Sequence, residues 1–392
     1  MTTAPAAERY LRLGLRLGRH VEGIVGAYFG PPELATAVDE EPLREPRHLA
    51  ADADALLAEL DDGWLRDQVA GLRAYAGALA SEAVSYADEV EGCYGVRPVR
   101  TDERVFAAAH DELERLLPGD GPLVGRYRRF ERSLRVPAEL IEPTITAVIQ
   151  EAGRRTRELV ELPEGEGVVV ESVRDKPWLA FCQYLGRFRS RISVNVDLPM
   201  TAIELLVLAM HETYPGHHAE RCCKERLLVR GRGLLEEAIV LVPTPQSLVS
   251  EGIAGLAPYV LLETAAGEAL AAIVHDAGIG LDLAHAVALQ RAWEPCTWAE
   301  VNAALMLHED GKTDEEAQAY LERWGLLDPE HAAHVIRFLR EPTSRTYILT
   351  YAAGLELCRA FAGSRPERLR RLLTEQVRVG ELRGATGGSR GR

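Results

Sequence analysis

Residues 211–218 read His-Glu-Thr-Tyr-Pro-Gly-His-His, and a continuous α-helix cannot run through them undisturbed. The preceding stretch, Ala202 to Met210, is apolar and helical in pattern, so a helix enters the segment. Pro215 has no N–H to bond the His211 carbonyl, and its ring pushes against that same carbonyl. Gly216 admits φ angles closed to other residues. The helix is therefore expected to kink or bulge between Tyr214 and His217.

The irregularity matters for what it carries. A His-Glu pair on a helix is how zinc hydrolases place one ligand and the base that activates water. Zinc takes three protein ligands at roughly 2.0–2.2 Å and leaves a fourth position open. On a straight helix His217 would lie about 9 Å along the axis from His211, and His218 about 10.5 Å, both too far for one ion. A local insertion at Pro215-Gly216 can bring His217 to the place of the usual second ligand. On this reading His211 and His217 are ligands, and His218 packs behind them or serves as the alternative ligand. Glu212 is the general base.

The third ligand is open at this point. Glu251, in Ser250-Glu251-Gly252-Ile253-Ala254-Gly255, leads because an acid among small and apolar residues needs a partner. Glu236, Glu237, Glu263, His285 and His308 are rivals. A donor set of two nitrogens and one oxygen favours Zn2+ over manganese or cobalt. Tyr347 and Tyr351 stand four apart on one helical face, where a phenol could donate to a developing oxyanion. Arg345 could grip a carboxylate, although core tyrosines and a surface arginine are the commoner meaning of such spacing.

Around this segment the chain reads as mainly α. Apolar positions recur at helical spacing over 5–28, 47–60, 64–82, 84–93, 101–116, 122–135 and 137–160. Residues 167–173, 178–185 and 190–197 are β-branched, aromatic or alternating, and predict a small antiparallel sheet just before the motif helix. An edge strand there could hold an extended substrate, with Arg187, Arg189 and Arg191 close by. Helical pattern resumes after the motif and continues to 376. The expected organisation is an N-terminal helical region (1–160), a metal-binding region (161–382) integrated with it, and a flexible Gly/Arg/Ser tail (383–392).

The net charge of −15 repels phosphate backbones and argues against nucleic acid as a partner. No run of about 18 apolar residues suggests a membrane span, and arginines interrupt the N-terminal apolar stretches, so no signal peptide is visible. The six cysteines form no C-x-x-C pair and read as reduced thiols of a cytoplasmic protein.

His211-Glu212-x-x-Pro215-Gly216-His217-His218, followed by Ser250-Glu251-Gly252-x-Ala254, resembles a large bacterial family catalogued as a domain of unknown function and grouped with the zincin metallopeptidases. Tyr351-Ala352-Ala353-Gly354 is similar to that family's Tyr-x-x-Gly helix. The stretches Leu13 to His20 and Ala27 to Pro32 resemble its actinobacterial members. Two positions depart: Glu220 stands where the family has Gln, and Ile253 where it has an aromatic. The resemblance implies His211, His217 and Glu251 as ligands, Glu212 as base, and a gluzincin-like helical fold similar to carboxypeptidase Taq and neurolysin. The expected activity is zinc-dependent hydrolysis of a peptide or related amide bond, with a carboxypeptidase-like mode as one form of it. The alternatives are a metalloenzyme acting on a non-peptide small molecule of specialised metabolism, or a helical binding protein with a degenerate site.

Overall fold

The structure is a computed structural model that describes residues 4–175 and 179–387. The chain is mainly helical, as the periodicity predicts, and its described residues form two small sheets where one was expected. Six helices matter for the site: α1 (Ala4–Gly18), α2 (Ala138–Leu159), α3 (Ala202–Glu212), α4 (His217–Lys224), α5 (Pro245–Leu262) and α6 (Ile348–Ala362). Among the described residues the strands are β1 (Val25–Tyr28), β2 (Gly167–Val173), β3 (Ala180–Gly186), β4 (Arg189–Asn195) and β5 (Ile239–Leu241).

The helix expected over 5–28 stops at Gly18, and Val25–Tyr28 pairs instead as β1 with β5, antiparallel. A left-handed Gly23 turns the chain between them (φ +87°). The short apolar run at β5 finds its partner more than two hundred residues away, which local pattern cannot reveal.

The three strands before the motif form one sheet of order β2-β4-β3. Antiparallel pairing holds for β3 and β4, which are joined by Arg187 and Phe188, both left-handed (φ 52° and 62°). Two left-handed residues make the turn that matches strand twist in a tight hairpin. The all-antiparallel expectation fails for β2, which lies parallel to β4. Side-chain alternation encodes which face is buried, not the direction of a neighbour. Trp178, the expected start of the second strand, lies outside the described residues, as do 388–392 of the expected tail. Helix Val379–Gly387 runs into the start of that tail.

Two cores place the site. The larger one joins Tyr10, Leu11, Leu17 and Tyr94 from the N-terminal helices to Leu248, Ile253, Leu349 and Phe361 of α5 and α6. The second packs Ile145, Val148 and Ile149 of α2 against Leu205, Leu206 and Met210 of α3, with Leu261 of α5 and Ile192 of β4. Helix α3 starts at a capping box, Thr201 with Glu204, which fixes where its last turn falls. Helices α5 and α6 approach through two glycines. A Cβ on Gly252 would meet the Gly354 carbonyl oxygen at 2.3 Å, and one on Gly354 would meet the Leu248 carbonyl oxygen at 2.4 Å. Only glycine at both positions allows this contact.

Candidate metal centre

Within the octapeptide the helix breaks outright rather than bulging. α3 ends at Glu212, Thr213 leaves helical geometry, the Tyr214–Pro215 bond is cis, and α4 begins anew at His217. The Gly216 N–H bonds the Met210 carbonyl (3.1 Å), and a Cβ on Gly216 would sit 1.9 Å from the His211 carbonyl oxygen. Gly216 thus folds the chain back onto the end of α3, and His217 comes to lie beside His211. Their rings meet nearly perpendicular, with centroids 4.8 Å apart.

Glu251, on α5, completes the group. Its Oε2 lies 3.3 Å from His211 Nε2 and its Oε1 3.2 Å from His217 Nε2. These three side chains are the one cluster of metal-ligating type among the described residues, with donor atoms all within 4.8 Å of one another. The edge of a zinc tetrahedron is about 3.4 Å for bonds near 2.1 Å, so the two carboxylate–imidazole separations fit one ion. Glu251 Oε2 is buried yet makes no hydrogen bond, an orphan that a cation would satisfy. Burial opposes charge on His211, but the neighbouring carboxylates of Glu251 and Glu212 outweigh it and raise its pKa to about 9. Burial likewise opposes charge on Glu251, and the two imidazoles overcome it and hold the carboxyl well below its usual range. The cluster therefore favours positive charge beside Glu251.

The groups behind the cluster fix its orientation. His217 Nδ1 is 3.1 Å from Ser250 Oγ, and that hydroxyl donates to Glu220 Oε2 at 2.5 Å. A serine has one proton to give, so its oxygen accepts from His217 Nδ1–H. That turns Nε2 toward Glu251 and makes it the nitrogen a metal would take. Glu220 is 2% exposed and pairs with Lys224 Nζ at 2.7 Å. Burial raises the Glu220 pKa, but Lys224 and Arg221 more than offset this and lower it on balance. Sequence reasoning named Glu220 only as a departure and missed Ser250 and Lys224. The i, i+4 spacing of Glu220 and Lys224 was the available signal.

Tyr347 donates to Glu251 Oε1 (2.6 Å), so its phenol orients the carboxylate instead of facing a substrate. Tyr351, 5.4 Å from Tyr347 by ring centroids and 40% exposed, opens on the cavity beside His211 and Glu251. The enclosing cavity walls, together with Glu251, Glu212 and Glu300, raise its pKa well above the usual range, so it keeps its proton. Glu212 Oε1 lies 4.0 Å from His211 Nε2, and its side chain makes no hydrogen bond among the described residues.

Several candidates are held elsewhere. Both His218 nitrogens are engaged, Nδ1 with Ser190 Oγ (2.7 Å) and Nε2 with Glu166 (2.9 Å), so the alternative ligand is a packing residue between sheet and helix. Arg345 is paired with the buried Glu89 and does not join the cluster. Glu263 pairs with Arg291, His308 with the Leu339 carbonyl, and Glu237 with Gln246. His285 packs on Phe130, and Glu236, buried, lies near Gln376. Arg191 reaches toward Glu171 and Arg189 toward the Gly165 carbonyl. Arg221, one turn after His217 on α4, has no ion-pair partner among the described residues, and its charge acts on the buried Glu220.

The cluster opens on a cavity of about 280 Å³ lined from α3, α5, α6 and the helix Leu283–Trp293.

No family model and no curated protein matches the chain. Solved structures do. A "putative lipoprotein" from Colwellia psychrerythraea has a TM-score of 0.55 at 17% identity, covering 91% of this chain and 65% of its own. Another, "of unknown function", from Shewanella oneidensis, has a TM-score of 0.52 at 13% identity, covering 95% and 69%. The chain thus spans about two thirds of the length of each. At such identities the likeness is one of fold.

Proposed function

We propose that the protein is a zinc-dependent hydrolase of zincin type that cleaves a peptide or related amide bond at His211, His217 and Glu251. The observation that carries this reading is the convergence of three donors from two helices and a third, with an orphaned buried oxygen on Glu251. Zinc bound there would act as a Lewis acid on the carbonyl and supply a nucleophile from water at neutral pH. Glu212, beside His211 and free of hydrogen bonds, would take the proton of the attacking water and pass it to the leaving nitrogen. Tyr351 would donate its phenol hydrogen to the carbonyl oxygen as charge builds there. Tyr347 and Ser250 would hold Glu251 and His217 in place, and the edge strand β3 offers backbone groups to an extended substrate.

The size of the cavity favours a short peptide or small amide over a folded chain. A carboxypeptidase-like mode would need an unpaired cation, a role that Arg345, held by Glu89, does not fill. Among the described residues no single helix is long and apolar enough to cross a membrane. The cysteines are free and mostly buried, which supports a reducing compartment; cell fractionation would instead find the protein in the envelope if it shared more than fold with the lipoproteins.

The test is metal analysis of the wild type beside Glu212→Gln. One zinc per chain in both, with hydrolysis of an amide panel lost in the variant, is expected. Purified protein without stoichiometric zinc, and with a melting temperature indifferent to chelator, would favour a non-catalytic binding protein.

A further inference from the structure

We infer that the cavity beside the cluster is a specificity pocket for one large, uncharged apolar group of the substrate, aliphatic or aromatic, carried next to the cleaved amide. The inference rests on the hydrolase reading for the word substrate, but its physical content is a binding preference that holds with or without metal.

The shape comes from helix geometry. Ile203, Val207 and His211 of α3 stand four apart, forming one row that ends at the cluster. Eight residues of helix span about 12 Å, so the cavity runs that far from the metal ligands. On α5 the lining passes from Glu251 through Gly255 to Leu262, away from the cluster, so the two helices flank the space in opposite directions. Leu355 of α6, one turn after Tyr351, and Val287 and Trp293 of the helix Leu283–Trp293 close it. Gly255 keeps it open, because no side chain projects from α5 at the middle of the row.

Volume and chemistry then select the occupant. A cavity of about 150 Å³ lined by apolar side chains holds a benzene. At about 280 Å³ this one holds an aromatic ring with its linking methylenes, or a long aliphatic chain. Away from the cluster, charge is not provided for. Of the three acids in the lining, Glu251 belongs to the cluster at the near end, and the two along the row are already neutralised, Glu263 by Arg291 and Glu294 by Arg359, with Tyr259 donating to Glu294 as well. A terminal ammonium or carboxylate carried to the far end of the row would lose its water and gain no free partner there.

The test uses the purified full chain, with and without added zinc, titrated with butanamide, pentanamide, hexanamide and hydrocinnamamide. Binding is read by calorimetry and by the fluorescence of Trp293. Affinity should rise about fourfold per added methylene, and hydrocinnamamide should bind at least as well as hexanamide. Hexanamide bearing a terminal ammonium or carboxylate should bind at least tenfold more weakly than hexanamide. Val207→Phe and Val287→Phe, which fill the row from two different helices, should each weaken hexanamide at least tenfold while melting like the wild type. Affinity independent of chain length, charged amides binding as well as neutral ones, or both filled variants binding normally would each overturn the inference. Chain-length-dependent binding by a protein that takes up no zinc would uphold the pocket and refute the hydrolase.

Discussion

Gly252→Ala should both destabilise the protein and loosen the cluster, and the size of the effect follows from the α5–α6 contact. The new Cβ would stand 2.3 Å from the Gly354 carbonyl oxygen and 2.6 Å from Cys358 Sγ, where ordinary contact begins at 3.4 Å. Because the nearest obstacle is backbone, the helices must part by about 1 Å; overpacking of this kind costs about 1–3 kcal/mol. Glu251 is the neighbouring residue on α5, and its bond to Tyr347 Oη is 2.6 Å long. Widened by about 1 Å, that bond falls outside hydrogen-bonding range, a loss of about 1.5–3 kcal/mol for a charged acceptor. Alanine's better helix propensity returns at most about 1 kcal/mol. The net loss is about 1.5–5 kcal/mol, which the unfolding entropy of a 392-residue chain converts to a fall in Tm of roughly 2–6 °C. Gly255→Ala is the control three residues along the same helix. Its Cβ would meet Leu355 at 3.5 Å, an ordinary contact, so it should leave Tm unchanged or raise it slightly. Differential scanning calorimetry with zinc titration reads both quantities. A Gly252→Ala protein melting with the wild type, or two glycine variants shifting alike, would refute the close-packing account.

Two other outcomes separate roles that the sequence lumps together. Tyr347→Phe should weaken zinc binding about 10–100-fold by freeing Glu251, whereas Tyr351→Phe should keep zinc affinity and lower kcat by about two orders of magnitude; zinc competition assays and steady-state kinetics distinguish them. Burial alone raises the Glu300 carboxyl from its usual 4.5 to about 7, so the folded state holds a proton that the unfolded chain releases. Stability must therefore fall as pH rises from 4.5 to 7, by at most about 3 kcal/mol. Glu300→Gln should melt higher than the wild type at pH 8 and alike at pH 4.5, and an equal difference at both pH values would contradict this origin.

The local half of the fold was legible in the sequence. Seven of the N-terminal segments carry helical periodicity, and six of them form helices within about three residues of the expected bounds, because amphipathic spacing and Gly/Pro stops act over short range. The seventh lost its end to β1, whose stability depends on β5 far along the chain. Strand direction in the β2-β4-β3 sheet was likewise a long-range matter. At the site, Pro215 and Gly216 announced by their own covalent limits that the helix could not continue, so irregularity between Tyr214 and His217 was determined locally. What filled the gap was not. The break puts His217 beside His211 because the Gly216 N–H finds the Met210 carbonyl, and the Gly252–Gly354 contact holds Glu251 against Tyr347. Tertiary packing alone separated Tyr347 from Tyr351, tied Arg345 to Glu89, and gave His218 to Ser190 and Glu166. Residue type and spacing fix what a side chain can do. Which partner it meets is decided by surfaces that come together only when the whole chain has folded.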